Sequence, residues 1–415
     1  MNGKLIFLDN RNLTEMIDKY TTVVVLELMV ALVSALVIYR LAKKNFVKET
    51  IESGRFDTLD GVRGIAATMV AIHHSFFFYG YATFGIWSIN YLGKGLLQVI
   101  VDYMGKASVS LFFMITAFLF WGKVLDSSKG INWQGFYIKR FFRIFPLYFA
   151  AVFLSFSYVI ITTKTPFTIF PYLRDSFYWL TFDFISTPNI NGFPFSGSIV
   201  AGVFWSLSYE WIFYFLLPMF SVFAVNKRTS FFIVSLMFVI IAFIYFFNVE
   251  IKYWTQVHVL CFIIGGGCAH INKYYPAAIN MMKGPVLSAF AVGVFLACIA
   301  NFDAPYSHIP SVLIGISFLI ISSGNSIFGV LSLKFIKMLG TISFSIYMLH
   351  GLVFTVLFSP MIKSGVSFQL AATITIPVII AVSTISYIVI ERPFIDRGRV
   401  FSKGMSDIIQ LSKSA

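Results

Sequence analysis

Long apolar segments recur along the whole chain and most limit how this sequence can fold. Hydrophobic residues occupy 58% of the 415 positions, and only 12% of the positions are charged. Soluble globular domains have about 25% charged residues. A helix that crosses a roughly 30 Å hydrocarbon core needs about 20 mostly apolar residues, and many segments of this chain approach that length. The sequence therefore predicts an all-α polytopic membrane protein.

The apolar segments predict eleven transmembrane spans. The first ends in a basic cluster, whereas a signal peptide has its positive charge before the apolar run. We therefore expect an uncleaved N-terminal anchor helix, followed by a ten-helix membrane domain. The predicted spans are residues 22–39, 60–80, 107–122, 141–162, 200–225, 229–248, 254–271, 284–301, 308–323, 336–358 and 366–390.

Basic residues are distributed unequally between the two sides that alternating spans create. Of the 31 lysines and arginines, 22 fall on one side and nine on the other. The positive-inside rule makes the richer side cytoplasmic, with the N-terminus outside and the C-terminus inside. This orientation explains the net charge of +13 without a nucleic-acid partner. We expect three regions in a protein of the cytoplasmic (inner) membrane: an anchor segment (1–54), a membrane domain (55–394) and a cytoplasmic basic tail (395–415).

Two connections on the outer side are long, at about residues 80–106 and 163–199. The second is rich in proline and aromatic residues, which indicates a structured lid or interfacial segment. Loops of this size beside a membrane site often contact substrate. The three cysteines lie in apolar runs without metal-ligand spacing, so we expect no metal site.

An arginine and a histidine share one face of the second predicted span. Arg63 and His74 are eleven residues apart, which places His74 almost directly above Arg63 at a distance of roughly 16 Å along a helix. His73 points about a quarter-turn away. Ionisable groups at membrane depth are costly unless they have partners, so an intramembrane histidine indicates a functional site. A histidine that is only hydrogen-bonded between helices is the alternative.

Two further arginines, Arg140 and Arg143, are three residues apart at the cytoplasmic start of a span. Residues at this spacing share a helix face. Two guanidinium groups beside a helix N-terminus suit a phosphate-bearing ligand. Orientation of the span by positive charge is the simpler alternative.

The segment GVFWSLSYEWIFYF places Glu210 about 15 Å deep, close to the depth expected for His74. A buried glutamate can orient a histidine, bind an arginine, or remain protonated as a structural donor. Ser206 and Ser208 favour interhelical hydrogen bonding over a nucleophilic role. His350 lies in the outer half of a later span, where either an acceptor contact or simple packing explains it.

Two other features favour structural explanations. Glu391, Arg392 and Pro393 close the last span at the cytoplasmic face, which is typical of a salt-bridged helix end. The run Gly265–Gly267 lies inside an apolar span, so close helix packing or a kink explains it better than a phosphate-binding loop.

The order of several short motifs resembles the acyltransferase family 3. The segments are LDGVRGIAA, followed by a histidine pair, then SVSLFFMITAFLF, RFFRIFPLY, FWSLSYE, ISFSIYMLH and ERPF. The resemblance extends from about residue 55 to residue 394 and implies ten core helices. The family's arginine and histidine motifs map onto Arg63 with His74 and onto Arg140 with Arg143. Its serine-leucine-serine motif with a glutamate maps onto residues 206–210. The N-terminal anchor departs from many members.

The resemblance implies an O-acyltransferase that uses acyl-CoA, with acetyl-CoA as the expected donor. The implied acceptor is a cell-surface glycan, such as O-antigen or exopolysaccharide, or its lipid-linked precursor. Arg63, Arg140 and Arg143 would bind the donor. His74 would act as general base or, alternatively, accept the acyl group.

The remaining assignments concern residues around that base. Glu210 would orient it or balance charge, and Ser208 and His350 would contact substrate. A homodimer or a periplasmic partner is compatible with the sequence. A transporter or flippase of a glycan precursor is the main alternative, and a catalytically silent partner of a glycan synthase is another.

Overall fold

A computed structural model describes residues 10–46, 57–127, 130–163, 168–224, 226–247, 249 and 253–414. This described part is predominantly helical and contains no strand. Lys48, Arg55 and the predicted boundary between residues 54 and 55 lie outside it. In chain order the helices are α1 (Asn10–Ala42), α2 (Asp57–Phe84), α3 (Leu96–Asp126), α4 (Trp133–Thr162), α5 (Ile169–Trp179), α6 (Trp205–Ser221), α7 (Lys227–Phe246), α8 (Tyr253–Tyr274), α9 (Pro276–Met281), α10 (Pro285–Asn301), α11 (His308–Ser322), α12 (Lys334–Thr341), α13 (Ser343–Val353), α14 (Ser359–Lys363), α15 (Phe368–Ser386) and α16 (Arg392–Ser414).

Apolar helices confirm the predicted all-α polytopic class. Besides the six long apolar stretches given at the end of this paragraph, two shorter apolar helices, α10 and α11, coincide with predicted spans, and so does the charged helix α2. The count of eleven spans stays a prediction, because it depends on a membrane boundary. Within the described residues, six stretches are long and apolar enough to cross a membrane: Tyr20–Asn45, Leu96–Asp126, Trp133–Thr162, Lys227–Phe246, Ser343–Lys363 and Phe368–Met405.

Helix α3 begins earlier than the sequence predicts. The predicted span started at residue 107, whereas the helix starts at Leu96, so the first outer connection is shorter than expected. The reason is an ion pair four residues apart within the helix, in which Lys106 Nζ lies 3.0 Å from Asp102 Oδ2. Because the two charges compensate each other, the helix continues through the stretch that contains these charged residues.

Helix α6 begins later than the predicted limit of residue 200. Residues Ser196–Val200 form a 3-10 turn, and Ala201 follows with φ of 54°, before α6 starts at Trp205. Gly351 of α13 contacts this irregular backbone, since a Cβ atom on Gly351 would lie 2.5 Å from Ala201 N. The close approach requires glycine at position 351, and it fixes the segment that precedes α6, the helix that bears Glu210.

Helix α2 is central, and it packs closely against α12 and α3. A Cβ atom on Gly64 would lie 2.6 Å from Gly340 N, so the two backbones cross with no side chain between them. At the same end of α2, Lys337 Nζ lies 2.9 Å from Asp57 Oδ2. These contacts fix the end of the helix that bears Arg63.

The expected close packing of the glycine run is present between α8 and α3. A Cβ atom on Gly265 would lie 2.9 Å from the Cβ atom of Ala117. Small residues allow this approach of two apolar helices. The packing explanation is therefore confirmed at Gly265.

The second outer connection is structured in its described part, as predicted. Helix α5 lies within it, and Trp179 at the end of α5 is only 1% exposed. The Trp179 indole N–H donates to Pro188 O at 2.8 Å, and Asn191 N donates to Asp175 Oδ2 at 3.3 Å. These bonds give the segment a defined structure on the side opposite the clustered arginines.

Candidate active site

Residues from the predicted cytoplasmic ends of α2 and α4 meet at one cavity of about 140 Å³. The ends of these helices were assigned to the same side by the charge count. All three candidate arginines line the cavity, and α3, α6 and α13 complete its wall. Its polar lining includes Arg63, Arg140, Arg143, Ser206, Glu210 and Tyr347.

Arg143 is paired with a buried carboxylate. Its Nη1 atom lies 2.8 Å from Oε2 of Glu391, whose side chain is completely buried. Ser345 donates its hydroxyl to the other oxygen of Glu391. Glu391 belongs to a π-helical turn, Tyr387–Glu391, and such turns are frequent at functional sites. The expected salt bridge at this helix end therefore exists, but its partner is Arg143 of a distant helix.

Arg63 and Arg140 are held less tightly. Arg140 lies over the Phe120 ring, with Cζ 4.8 Å from the ring centroid. Arg63 Nη1 is 3.6 Å from Asp60 Oδ1, where both side chains are partly accessible. Such contacts leave guanidinium N–H groups available to an anion in the cavity.

Glu210 lies in the same cavity as the arginines. It accepts a hydrogen bond from the Tyr214 hydroxyl, and Tyr214 also lines the cavity. The two residues are four apart in α6, a spacing at which helix side chains interact, so the sequence offered a signal for Tyr214. The hydrogen-bond partner of Glu210 is thus Tyr214, and the partner of His74 is a different residue.

The two serines of α6 point in different directions. Ser208 donates to the Trp205 carbonyl at 2.7 Å, which is a bond within its own helix. Ser206 lines the cavity, and its Oγ lies 2.9 Å from the Tyr347 hydroxyl. The structure therefore brings Ser206, rather than the predicted Ser208, into contact with the cavity.

His74 is paired with His350. The Nδ1 atom of His74 lies 3.0 Å from Nε2 of His350 and 3.0 Å from the carbonyl oxygen of Val70. His350 is fully buried, and its Nδ1 lies 2.9 Å from the Ile346 carbonyl oxygen. In the described part of the chain, no hydrogen bond involves Nε2 of His74, and its side chain is partly exposed.

Tyr347 connects the cavity to the histidine pair. Its hydroxyl bonds Ser206 at the cavity wall, and its ring centroid is 6.2 Å from that of His350. The arginine cavity and the pair are therefore separated by about one side chain.

His73 has a different environment. Its Nδ1 lies 2.7 Å from the Val101 carbonyl oxygen, and its ring fills the space left by Gly105 of α3. The structure places this ring between α2 and α3, as the quarter-turn offset from His74 suggested.

Gly105→Ala is expected to lower the free energy of unfolding by about 1–3 kcal/mol, because overpacked sites are strained. A Cβ atom there would lie 2.5 Å from the His73 ring. Thermal unfolding in detergent measures this effect. Gly122→Ala on the same helix is the control, since its nearest neighbour, the Ala269 Cβ, is 4.0 Å away. Equal stability of the two variants would contradict the proposed packing of His73.

Comparison with known proteins identifies the family. The sequence model of the acyltransferase 3 family, which is described as an acyltransferase domain, matches residues 56–391 of this chain. No curated protein and no solved structure gives a significant match. The matched region contains every helix that forms the cavity and the histidine pair. The chain therefore belongs to the acyltransferase 3 family and is a membrane acyltransferase.

Proposed function

We propose that the protein transfers an acyl group, with acetyl as the expected group, from acyl-CoA to a hydroxyl of a cell-surface glycan or its lipid-linked precursor. The observation that supports this proposal is the arrangement of three arginines around one cavity that is a single side chain from a histidine pair. One end of this arrangement suits an anionic donor, and the other offers a base.

The donor binds at the arginine end in this proposal. The cavity of about 140 Å³ is smaller than the roughly 300–1,000 Å³ of a pocket that encloses a drug-sized ligand. It therefore admits the narrow pantetheine arm, while the nucleotide phosphates remain at the mouth. Arg63 and Arg140 bind those phosphates through charge-assisted hydrogen bonds. The donor then enters from the cytoplasm. The N-terminus lies on the outer side of the inner membrane, and the C-terminus lies on its cytoplasmic side.

The chemical step uses His74 as a general base. Its Nε2 atom takes the proton of the acceptor hydroxyl as the oxygen attacks the thioester carbonyl carbon. The C–S bond then breaks, and the departing CoA thiolate takes up a proton. An ester of the glycan and free CoA are the products.

Arg140→Leu is expected to weaken CoA binding by about tenfold or more, because a hydrogen bond to a charged group contributes about 1.5–3 kcal/mol. Isothermal titration of the purified protein with CoA measures the affinity. Arg228→Leu, which removes an exposed arginine near the start of α7, is the control for general charge. Equal CoA affinities for Arg140→Leu, Arg228→Leu and wild type would contradict the donor site.

Mass spectrometry of surface glycans from cells with and without the gene tests the overall proposal. We expect glycans that carry an acyl modification only when the gene is present. The mass difference identifies the acyl group, and fragmentation locates the modified sugar. Identical glycans in both strains would contradict the proposed function.

A further inference from the structure

The protonation states of the two paired histidines can be assigned from their partners. A backbone carbonyl oxygen only accepts hydrogen bonds, so His350 Nδ1, 2.9 Å from Ile346 O, bears a hydrogen. A neutral ring has one N–H group, and burial disfavours the doubly protonated ring. His350 Nε2 therefore has a free lone pair, and it faces His74 Nδ1 at 3.0 Å.

The assignment of His74 follows from that of His350. Its Nδ1 must donate, because both of its neighbours, Val70 O and His350 Nε2, are acceptors at 3.0 Å. The single N–H group of the neutral His74 ring is thus shared between two acceptors. Its Nε2 atom is left with a lone pair, which is the form a general base requires.

We propose that His350 is a positioning residue that accepts a hydrogen bond from His74 Nδ1, keeps His74 in its basic tautomer and stabilises the imidazolium that forms during acyl transfer. This inference rests on the proposed function. When His74 Nε2 takes the hydroxyl proton, the ring would become an imidazolium whose Nδ1–H points at His350 Nε2. The lone pair of His350 Nε2 accepts this hydrogen bond and stabilises the positive charge, while the Nδ1 proton stays on His74.

The imidazolium of His74 then loses the proton that it gained. His74 Nε2 releases this proton to the departing CoA thiolate, and the ring regains its neutral form with hydrogen only on Nδ1. The step therefore requires no other proton donor or acceptor.

The packing of the pair favours such a role. His350 is completely buried, and its Nδ1–H bond to the residue four positions earlier in α13 fixes its ring orientation. His73 cannot substitute for it, because His73 Nδ1 is directed to Val101 O, 2.7 Å away. The arrangement parallels triads in which a third residue orients the histidine base.

Two variants of His350 separate a positioning role from a packing role. His350→Leu keeps much of the volume but removes the acceptor, and we expect kcat to fall on the order of 10²-fold with little change in the KM for acyl-CoA. His350→Gln retains an acceptor oxygen, and we expect at least about tenfold more activity than with leucine, since a tautomer-fixing hydrogen bond is partly restored. His270→Leu is the control, because His270 is also buried but bonds Ser230 at 2.9 Å.

Activity results that overturn the inference are unchanged kcat in His350→Leu, or equal losses with leucine and glutamine. Equal losses would indicate that His350 only fills space. A fall in kcat of similar size in His270→Leu would also overturn it, because the effect would then follow from removal of any buried histidine.

Nitrogen NMR of the histidine-labelled protein tests the same inference without an activity assay. The chain has six histidines, and the His74 and His350 variants assign the two signals. We expect both rings to be protonated at Nδ1, with a coupling across the bond between His74 Nδ1 and His350 Nε2. An Nε2-protonated His74 in active protein contradicts only this inference, whereas a wild type that transfers no acyl group contradicts the proposed function.

Discussion

His74→Gln is expected to lower kcat for acyl transfer by about 10²–10⁴-fold, because that is the usual contribution of a general base. The KM for acyl-CoA should change little, since the arginine cavity does not include His74. Transfer of label from radioactive acyl-CoA to glycan in membranes measures the effect. An undiminished rate would show that His74 is not the base.

His73→Gln is the matched control for this experiment. His73 bonds Val101 O and fills the space beside Gly105, so its replacement should lower thermal stability more than the kcat of the folded protein. If His73→Gln lost as much kcat as His74→Gln while remaining folded, the choice between the two rings would be wrong.

Glu391→Leu is expected to destabilise the protein by about 3–5 kcal/mol, because it leaves the charge of Arg143, whose side chain is only 18% exposed, without its partner. Arg143→Met should have an effect of similar size, since Glu391 is completely buried. The double variant should recover much of the stability, because it removes both charges together. Thermal unfolding of the three variants in detergent measures the coupling.

The double variant also separates the two roles of Arg143. If Arg143 binds the donor phosphate in addition to pairing with Glu391, the double variant will be stable but will bind CoA more weakly than wild type. Recovery of both stability and CoA affinity would show that Arg143 has only a structural role. A double variant as unstable as the single ones would contradict the assigned ion pair.

Helix geometry explains why part of the site was predictable. Arg140 and Arg143 share a face because they are three residues apart, and the charge count placed Arg63 at the same side of the membrane. All three line one cavity in the structure. The offset between His73 and His74 was also predictable, since one residue rotates a side chain by about 100°.

Contacts between distant helices were not predictable from spacing. His74 and His350 are 276 residues apart, and the bond between them depends on how α2 and α13 pack. The pairing of Arg143 with Glu391 likewise depends on the π-helical turn that contains Glu391. Which serine of α6 lines the cavity likewise depends on the rotation of α6 about its own axis, and the structure places Ser206 there. Substrate contact by Ser208 stays a prediction.

Product formation by the purified protein tests the central claim most directly. Wild-type protein in proteoliposomes is mixed with radiolabelled acyl-CoA and the glycan acceptor that the mass spectra identify, and free CoA and labelled glycan are both measured. The proposed function predicts equal amounts of CoA and acylated glycan, with neither formed by His74→Gln above background. Movement of the glycan across the membrane with no release of CoA would contradict it and would indicate a transporter instead.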